Sequence, residues 1–171
     1  MTPFPPALGP PVRAWRVDQE KFKKTWDSAM GAQASGGRWN PKGVKALYCS
    51  LDAATAILEV AVHKGFPALD KAPHVITALD IDDPALVHVV KSGDIPNPAW
   101  LRSGVPSAGQ QEFGAALLAR YVFVAIPSVV SRHSWNLVFD PERAADKYGP
   151  VKQERLTIDA RLSPPRVDRK V

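Results

Sequence analysis

The second half of the chain alternates apolar and polar positions with the period of strands. In HVITALDI at 74–81, Val75, Thr77, Leu79 and Ile81 fall on one face. LVHVV at 86–90 is short and β-branched, and YVFVAIP at 121–127 is a nearly continuous apolar run, the pattern of a central strand. WNLVF at 135–139 follows, then RLTIDARL at 155–162, with Leu156, Ile158, Ala160 and Leu162 on one side. KALYCS at 45–50 reads as a further strand.

Two segments carry a helical period instead. From about Asp52 to Lys64, Ala54, Ile57, Leu58, Ala61 and Val62 form the stripe of an amphipathic helix. Ser50 is placed to cap it and Gly65 to end it. A second helix is predicted from about Gln110 to Arg120, with Phe113 and Leu117 on its apolar side, and a third around Gln19 to Met30. Helices and strands do not alternate regularly, which predicts an α+β fold with a mixed or antiparallel sheet and flanking helices. Pro3, Pro5, Pro6, Pro10 and Pro11 prevent a regular helix at the start. The division expected is a proline-rich arm at 1–12, one domain at 13–162 and a basic tail at 163–171.

Composition narrows the classes. A chain of 171 residues, 45% hydrophobic and 23% charged, has room for one ordinary globular domain rather than a disordered segment or a fibre. Its one cysteine, Cys49, excludes an intrachain disulfide framework and a cysteine-cluster zinc site, fits a reducing compartment, and reads as packed beside its strand. The start MTPFPPALGPPVRAW lacks the basic and apolar regions of a signal peptide, and the apolar runs are too short to span a bilayer. A cytoplasmic protein without membrane contact is expected. Part of the +5 net charge sits in the last nine residues, where Arg166, Arg169 and Lys170 outnumber Asp168. No basic block marks the body, so direct DNA binding by this chain is not expected.

Candidate chemistry concentrates in SGGRWNPKG at 35–43 and the LYCS that follows at 47–50. Two glycines before Arg38 permit close approach of backbone to a ligand, and a guanidinium fork suits phosphate. The same residues also suit a structured turn with a surface arginine and an anchoring tryptophan. Glu59 falls off the apolar stripe of its helix, beside Asp52 and His63, either solvated or bordering a cleft. His63, His74, His88 and His133 have no metal-ligand spacing, and no metal site is expected. A GxSxG elbow, a Walker loop and a strand–GxGxxG–helix unit are all absent.

Trp15-Arg16, GGRWN at 36–40, LYCS at 47–50, AILE at 56–59, IPS at 126–128 and Asn136 with FDP ending at 141 occur in that order. Over roughly residues 13 to 160 this pattern resembles the RES domain, named for its Arg, Glu and Ser. FDP at 139–141 departs from the family's usual Asn-Pro ending. The resemblance implies a fold similar to ADP-ribosyltransferases and the toxin half of a bacterial type II toxin–antitoxin pair. It implies NAD⁺ as substrate with no prosthetic group, and cleavage of the nicotinamide–ribose bond by hydrolysis or phosphorolysis. The alternatives are mono-ADP-ribosyl transfer to a protein acceptor, or a non-enzymatic nucleotide- or nucleic-acid-binding module.

Carried over by position, Arg16 and Arg38 are the pocket arginines, Tyr48 the aromatic, Glu59 the acidic residue, Ser128 the late serine and Asn136 the late asparagine. Glu59, Tyr48 and Arg38 are then the catalytic set. Arg16, Arg38, Tyr48, Ser128 and Asn136 contact substrate. The implied partner is a cognate antitoxin, an Xre-like helix-turn-helix DNA-binding protein, covering the cleft bounded by Arg38, Tyr48 and Glu59.

Overall fold

The computed structural model describes residues 3–159 and residue 162. Its strands are β1 Val12–Gln19, β2 Leu47–Ser50, β3 His74–Ile81, β4 Val87–Val89, β5 Phe123–Pro127, β6 Trp135–Phe139 and β7 Gly149–Arg155. They form one sheet in the order β4-β5-β6-β2-β1-β3-β7. Each neighbouring pair is antiparallel except β4 and β5. The helices are α1 Met30–Ser35, α2 Ala53–Lys64, α3 Phe66–Lys71 and α4 Ala108–Arg120. This is the mixed α+β sheet that the sequence pattern predicts. Among the described residues no helix is long and apolar enough to cross a membrane.

Strand alternation sorts the core into two unlike faces. On one face Ala14, Leu47, Leu79, Phe123, Leu137 and Phe139 form a continuous cluster with Trp26 and Ala144. On the other face the apolar residues divide. Val124, Ile126 and Val138 pack with Trp39 and with Leu118 of α4, whereas Val17 and Ile76 pack with Ala56 and Ala61 of α2. Between these clusters the paired strands β2 and β6 present Tyr48, Ser50 and Asn136. A polar groove therefore runs between two helical packs.

Helix α2 borders that groove. Its N-cap is Asp52, whose side chain accepts from the Thr55 amide, and not Ser50; Ser50 Oγ instead donates to Asn136 Oδ1 at 2.8 Å. Gly65, at φ 77°, ends the helix as expected. The buried arc is rotated from the predicted stripe: Thr55, Ala56 and Ala61 are buried, while Leu58 and Val62 are 37% and 64% exposed. Small side chains let the helix lie close to β1 and β2, with Ile57 and Val60 partly buried beside them, while Leu58 and Val62 fall outside that contact.

Two further expectations are corrected. The predicted helix at 19–30 is a 3₁₀ helix over Glu20–Thr25, a turn, and then α1. Buried Ala29 sits at φ 54° in the left-handed region, which a helix through this point cannot contain. The strand predicted at 155–162 lies upstream, as β7. Being an edge strand with mostly exposed side chains, β7 does not need apolar alternation. Leu156 and Ile158 pack instead against the cluster under α2. Ala160 and the tail at 163–171 lie outside the described residues.

Candidate active site

β1 and β2 are joined by a single rung, Trp15 opposite Ser50, after which the strands part. Arg16 spans the gap. Its Nη1 donates to the Tyr48 carbonyl at 2.9 Å, its Nε to the Trp26 carbonyl at 3.0 Å, and its Nη2 to Asp18 Oδ1 at 2.6 Å. Arg16 and Asp18, two apart on β1, share the face of the continuous core and reach the groove through this split. Above it opens a cleft of about 730 Å³, walled by Glu59 and His63 of α2, by Arg38, and by Tyr48, Asn136 and Gln111.

The loop at 36–43 forms one wall, and buried polar groups fix its shape. The Tyr48 hydroxyl donates to Asn40 Oδ1 at 2.7 Å and accepts from the Trp39 amide at 2.9 Å. Burial pushes the phenol well above the ordinary tyrosine range, so it stays protonated as this donor. Buried Asn40 donates through Nδ2 to the carbonyls of Ala32, Pro41 and Val44. The phenol lies so close that a Cβ on Gly37 would sit 2.7 Å from Tyr48 Oη. Helix α4 supports the loop from behind: Gln111 Nε2 donates to the Gly37 carbonyl at 2.8 Å, and a Cβ on Gly114 would sit 2.1 Å from the Trp39 carbonyl oxygen.

Arg38 emerges from this loop half-buried. Its Nη1 and Nη2 donate to the carbonyls of Arg102 and Gly104, at 3.4 and 3.1 Å. Burial draws the guanidinium below its ordinary value, against the opposing pull of Glu59 and Tyr48. The group remains a cation at neutral pH.

Across the cleft, Glu59 Oε1 accepts from Asn136 Nδ2 at 2.6 Å and from Ser128 Oγ at 2.9 Å. Asn136 is held in turn by Ser50. Ser128 Oγ also accepts from the amides of Val130 and Ser131, at 3.2 and 3.0 Å. One donor and two acceptor sites exhaust a hydroxyl. Buried Ser128 therefore works behind Glu59, orienting it, rather than from the cleft wall. Asp52, bonded to the Ser134 hydroxyl, ties the far end of the same loop to the start of α2.

The structure thus brings five of the six residues singled out in the sequence, Arg16, Arg38, Tyr48, Glu59 and Asn136, to the lining of one cleft, whereas Ser128, expected to contact substrate, stands behind Glu59 with its hydroxyl already spent. Sequence reasoning missed Asp18, Asn40 and Gln111. Strand alternation from Arg16 would have flagged Asp18, and Asn40 stands in the GGRWN run itself. Nothing local marks Gln111. Cys49 is buried in the core, its thiol pushed up to about 12 by burial, and is inert packing. Among the described residues no group of three or more His, Cys, Asp or Glu is placed to hold a metal.

The family model described as RES domain matches residues 13–159. The Prs ADP-ribosylating toxin of Sphingobium sp. (strain YBL2) is 29% identical over 135 residues, covering 74% of this chain and 81% of that protein. In fold, the chain is similar to a chain in the crystal structure of the M. tuberculosis MbcT–MbcA toxin–antitoxin complex. The TM-score is 0.62 at 20% identity, covering 86% of this chain and 85% of the other.

Proposed function

This chain belongs to the RES domain family, and we propose that it is a toxin that breaks the nicotinamide–ribose bond of NAD⁺. The observation that carries this reading is a carboxylate, Glu59, held by two donors on one side of a cleft whose other side and floor bear two arginines. NAD⁺ offers matching groups: a pyrophosphate for Arg38 and Arg16, a ring for the face of Tyr48, and a ribosyl carbon that becomes cationic as the bond breaks. When the C1′–N bond breaks, its electron pair leaves with neutral nicotinamide. The remaining oxocarbenium-like centre is stabilised by a nearby carboxylate. Water then adds to C1′ and loses a proton to solvent, giving ADP-ribose. Phosphate as acceptor gives the phosphorolysis product by the same scheme.

A second reading, favoured by the ADP-ribosylating relative, has a protein side chain as acceptor in place of water. The likeness in fold to a chain of a toxin–antitoxin complex supports a cognate antitoxin as partner, and in our reading that partner is an Xre-like helix-turn-helix protein covering the cleft. The purified chain incubated with NAD⁺ should release nicotinamide. Free ADP-ribose as co-product identifies water as acceptor, and ADP-ribose retained on an added protein identifies transfer. Absence of nicotinamide release under both conditions refutes the enzymatic reading and leaves a nucleotide-binding module.

A further inference from the structure

Among the described residues Asp18 is the one carboxylate besides Glu59 that lines the cleft, and half of it is unused. Oδ1 accepts from Arg16 Nη2, while Oδ2 is buried and meets no donor among the described residues. The side chain is 11% exposed and lines the cleft. Burial, the largest influence, pushes this carboxyl above its ordinary range, opposed by Arg16 and more weakly by Lys64 and His74. A carboxylate oxygen shut away without a partner is unfavourable, and calls for a donor from outside the fold, a water, an ion or a ligand. The neighbouring arginine has part of its fork left over: three of its five N–H donors are engaged, by Trp26, Tyr48 and Asp18. An unspent acceptor thus lies beside unspent donors where the sheet is split.

We propose that Asp18 is a ligand-binding residue whose Oδ2 accepts a hydrogen bond from a hydroxyl or amide N–H of the nucleotide while Arg16 holds the adjoining phosphate. The inference rests on the NAD⁺ reading above and adds a residue to it. It also sets the polarity of the floor, since a ligand must bring an anionic group and a neutral donor side by side. A dinucleotide does so, its ribose hydroxyls flanking the pyrophosphate. Inorganic sulfate, fully ionised at neutral pH, does not.

That difference separates the proposal from a plain counter-charge role. Asp18→Asn removes a negative charge next to Arg16 and turns the Oδ2 position into a donor. If Asp18 only neutralises Arg16, anions of every kind bind the variant more tightly. If Oδ2 receives a ligand donor, NAD⁺ binding weakens roughly tenfold, the scale of one hydrogen bond to a charged acceptor, while sulfate binding is unchanged or tighter. Calorimetric titration of the folded variant and of Asp18→Ala with NAD⁺ and with inorganic sulfate reads both. Weaker NAD⁺ binding with retained sulfate binding, in either variant with a wild-type circular dichroism spectrum, supports the proposal. NAD⁺ binding that is unchanged, or that tightens in parallel with sulfate, overturns it and leaves the NAD⁺ reading standing. Failure of the wild-type chain to bind NAD⁺ overturns that reading, and this proposal with it.

Discussion

Replacing Glu59 by glutamine separates its charge from its place in the hydrogen-bond network. The carbonyl of the new amide can still accept from Asn136 Nδ2 and Ser128 Oγ, as Oε1 does now. What is lost is charge assistance in two bonds, about 1–2 kcal/mol in all. In a chain of this size that lowers the melting temperature by roughly 2–8 °C. Turnover should fall much further. Removing one preorganised group that stabilises transition-state charge costs about a hundred- to thousandfold in kcat. Alanine instead strands both donors, costing roughly 2–6 kcal/mol of stability. Nicotinamide release measured by chromatography, beside thermal melts of both variants, checks each part. Glu59→Gln that releases nicotinamide near the wild-type rate refutes the catalytic role. Melting of the glutamine variant as low as that of the alanine variant refutes the argument about the shared acceptor.

Arg38→Lys should bind NAD⁺ little better than Arg38→Ala, because one ammonium cannot reproduce a fork now spread over the Arg102 and Gly104 carbonyls; near-wild-type affinity in calorimetry would show that charge alone suffices. Gly114→Ala drives a Cβ into the Trp39 backbone, which should cost about 3 kcal/mol and appear as a lower melting temperature and weaker NAD⁺ binding. A variant as stable as wild type would mean that α4 and the loop separate freely. The fork of Arg13 bonds Asp80 and holds its carboxyl below the ordinary value of 3.8. A depressed carboxyl stabilises the fold above its unfolded pKa and loses that contribution as pH falls through the folded one. The stability gap between wild type and Asp80→Asn in urea titrations should therefore close as pH drops below about 4, and a gap that persists or widens in acid contradicts the pairing.

How much was legible in the sequence depended on how far each element is buried on both sides. β5 and β6, paired on both edges and buried at each position, read directly as apolar runs. β1 did not read as a strand, because Arg16 and Asp18 occupy positions that alternation would give to apolar residues, and those exceptions belong to the cleft. β7 was misplaced because solvent covers one of its faces and its polar side chains meet no core. On α2 the period was right and its phase wrong, since Ala56 and Ala61 pack closer than Leu58 and Val62 can. The six candidate residues were picked out by a resemblance in motif order. Their physical relations were not legible: the pairing of Glu59 with Ser128 and Asn136 spans 69 and 77 positions of sequence, and no local pattern encodes it.

The lone rung between β1 and β2 has a mechanical consequence. β1 is paired with β3 along its whole length, and β2 likewise with β6, so each half of the sheet resists bending as a plate. Across the split, stiffness comes from the Arg16 bonds and from the apolar backing behind the sheet, where Ala14 and Leu79 of one plate meet Leu47 and Leu137 of the other. Densely packed interiors transmit small changes in volume. Aliphatic side chains on the reverse side of the molecule, which touch no ligand, therefore bear on how far the split can open beneath the cleft.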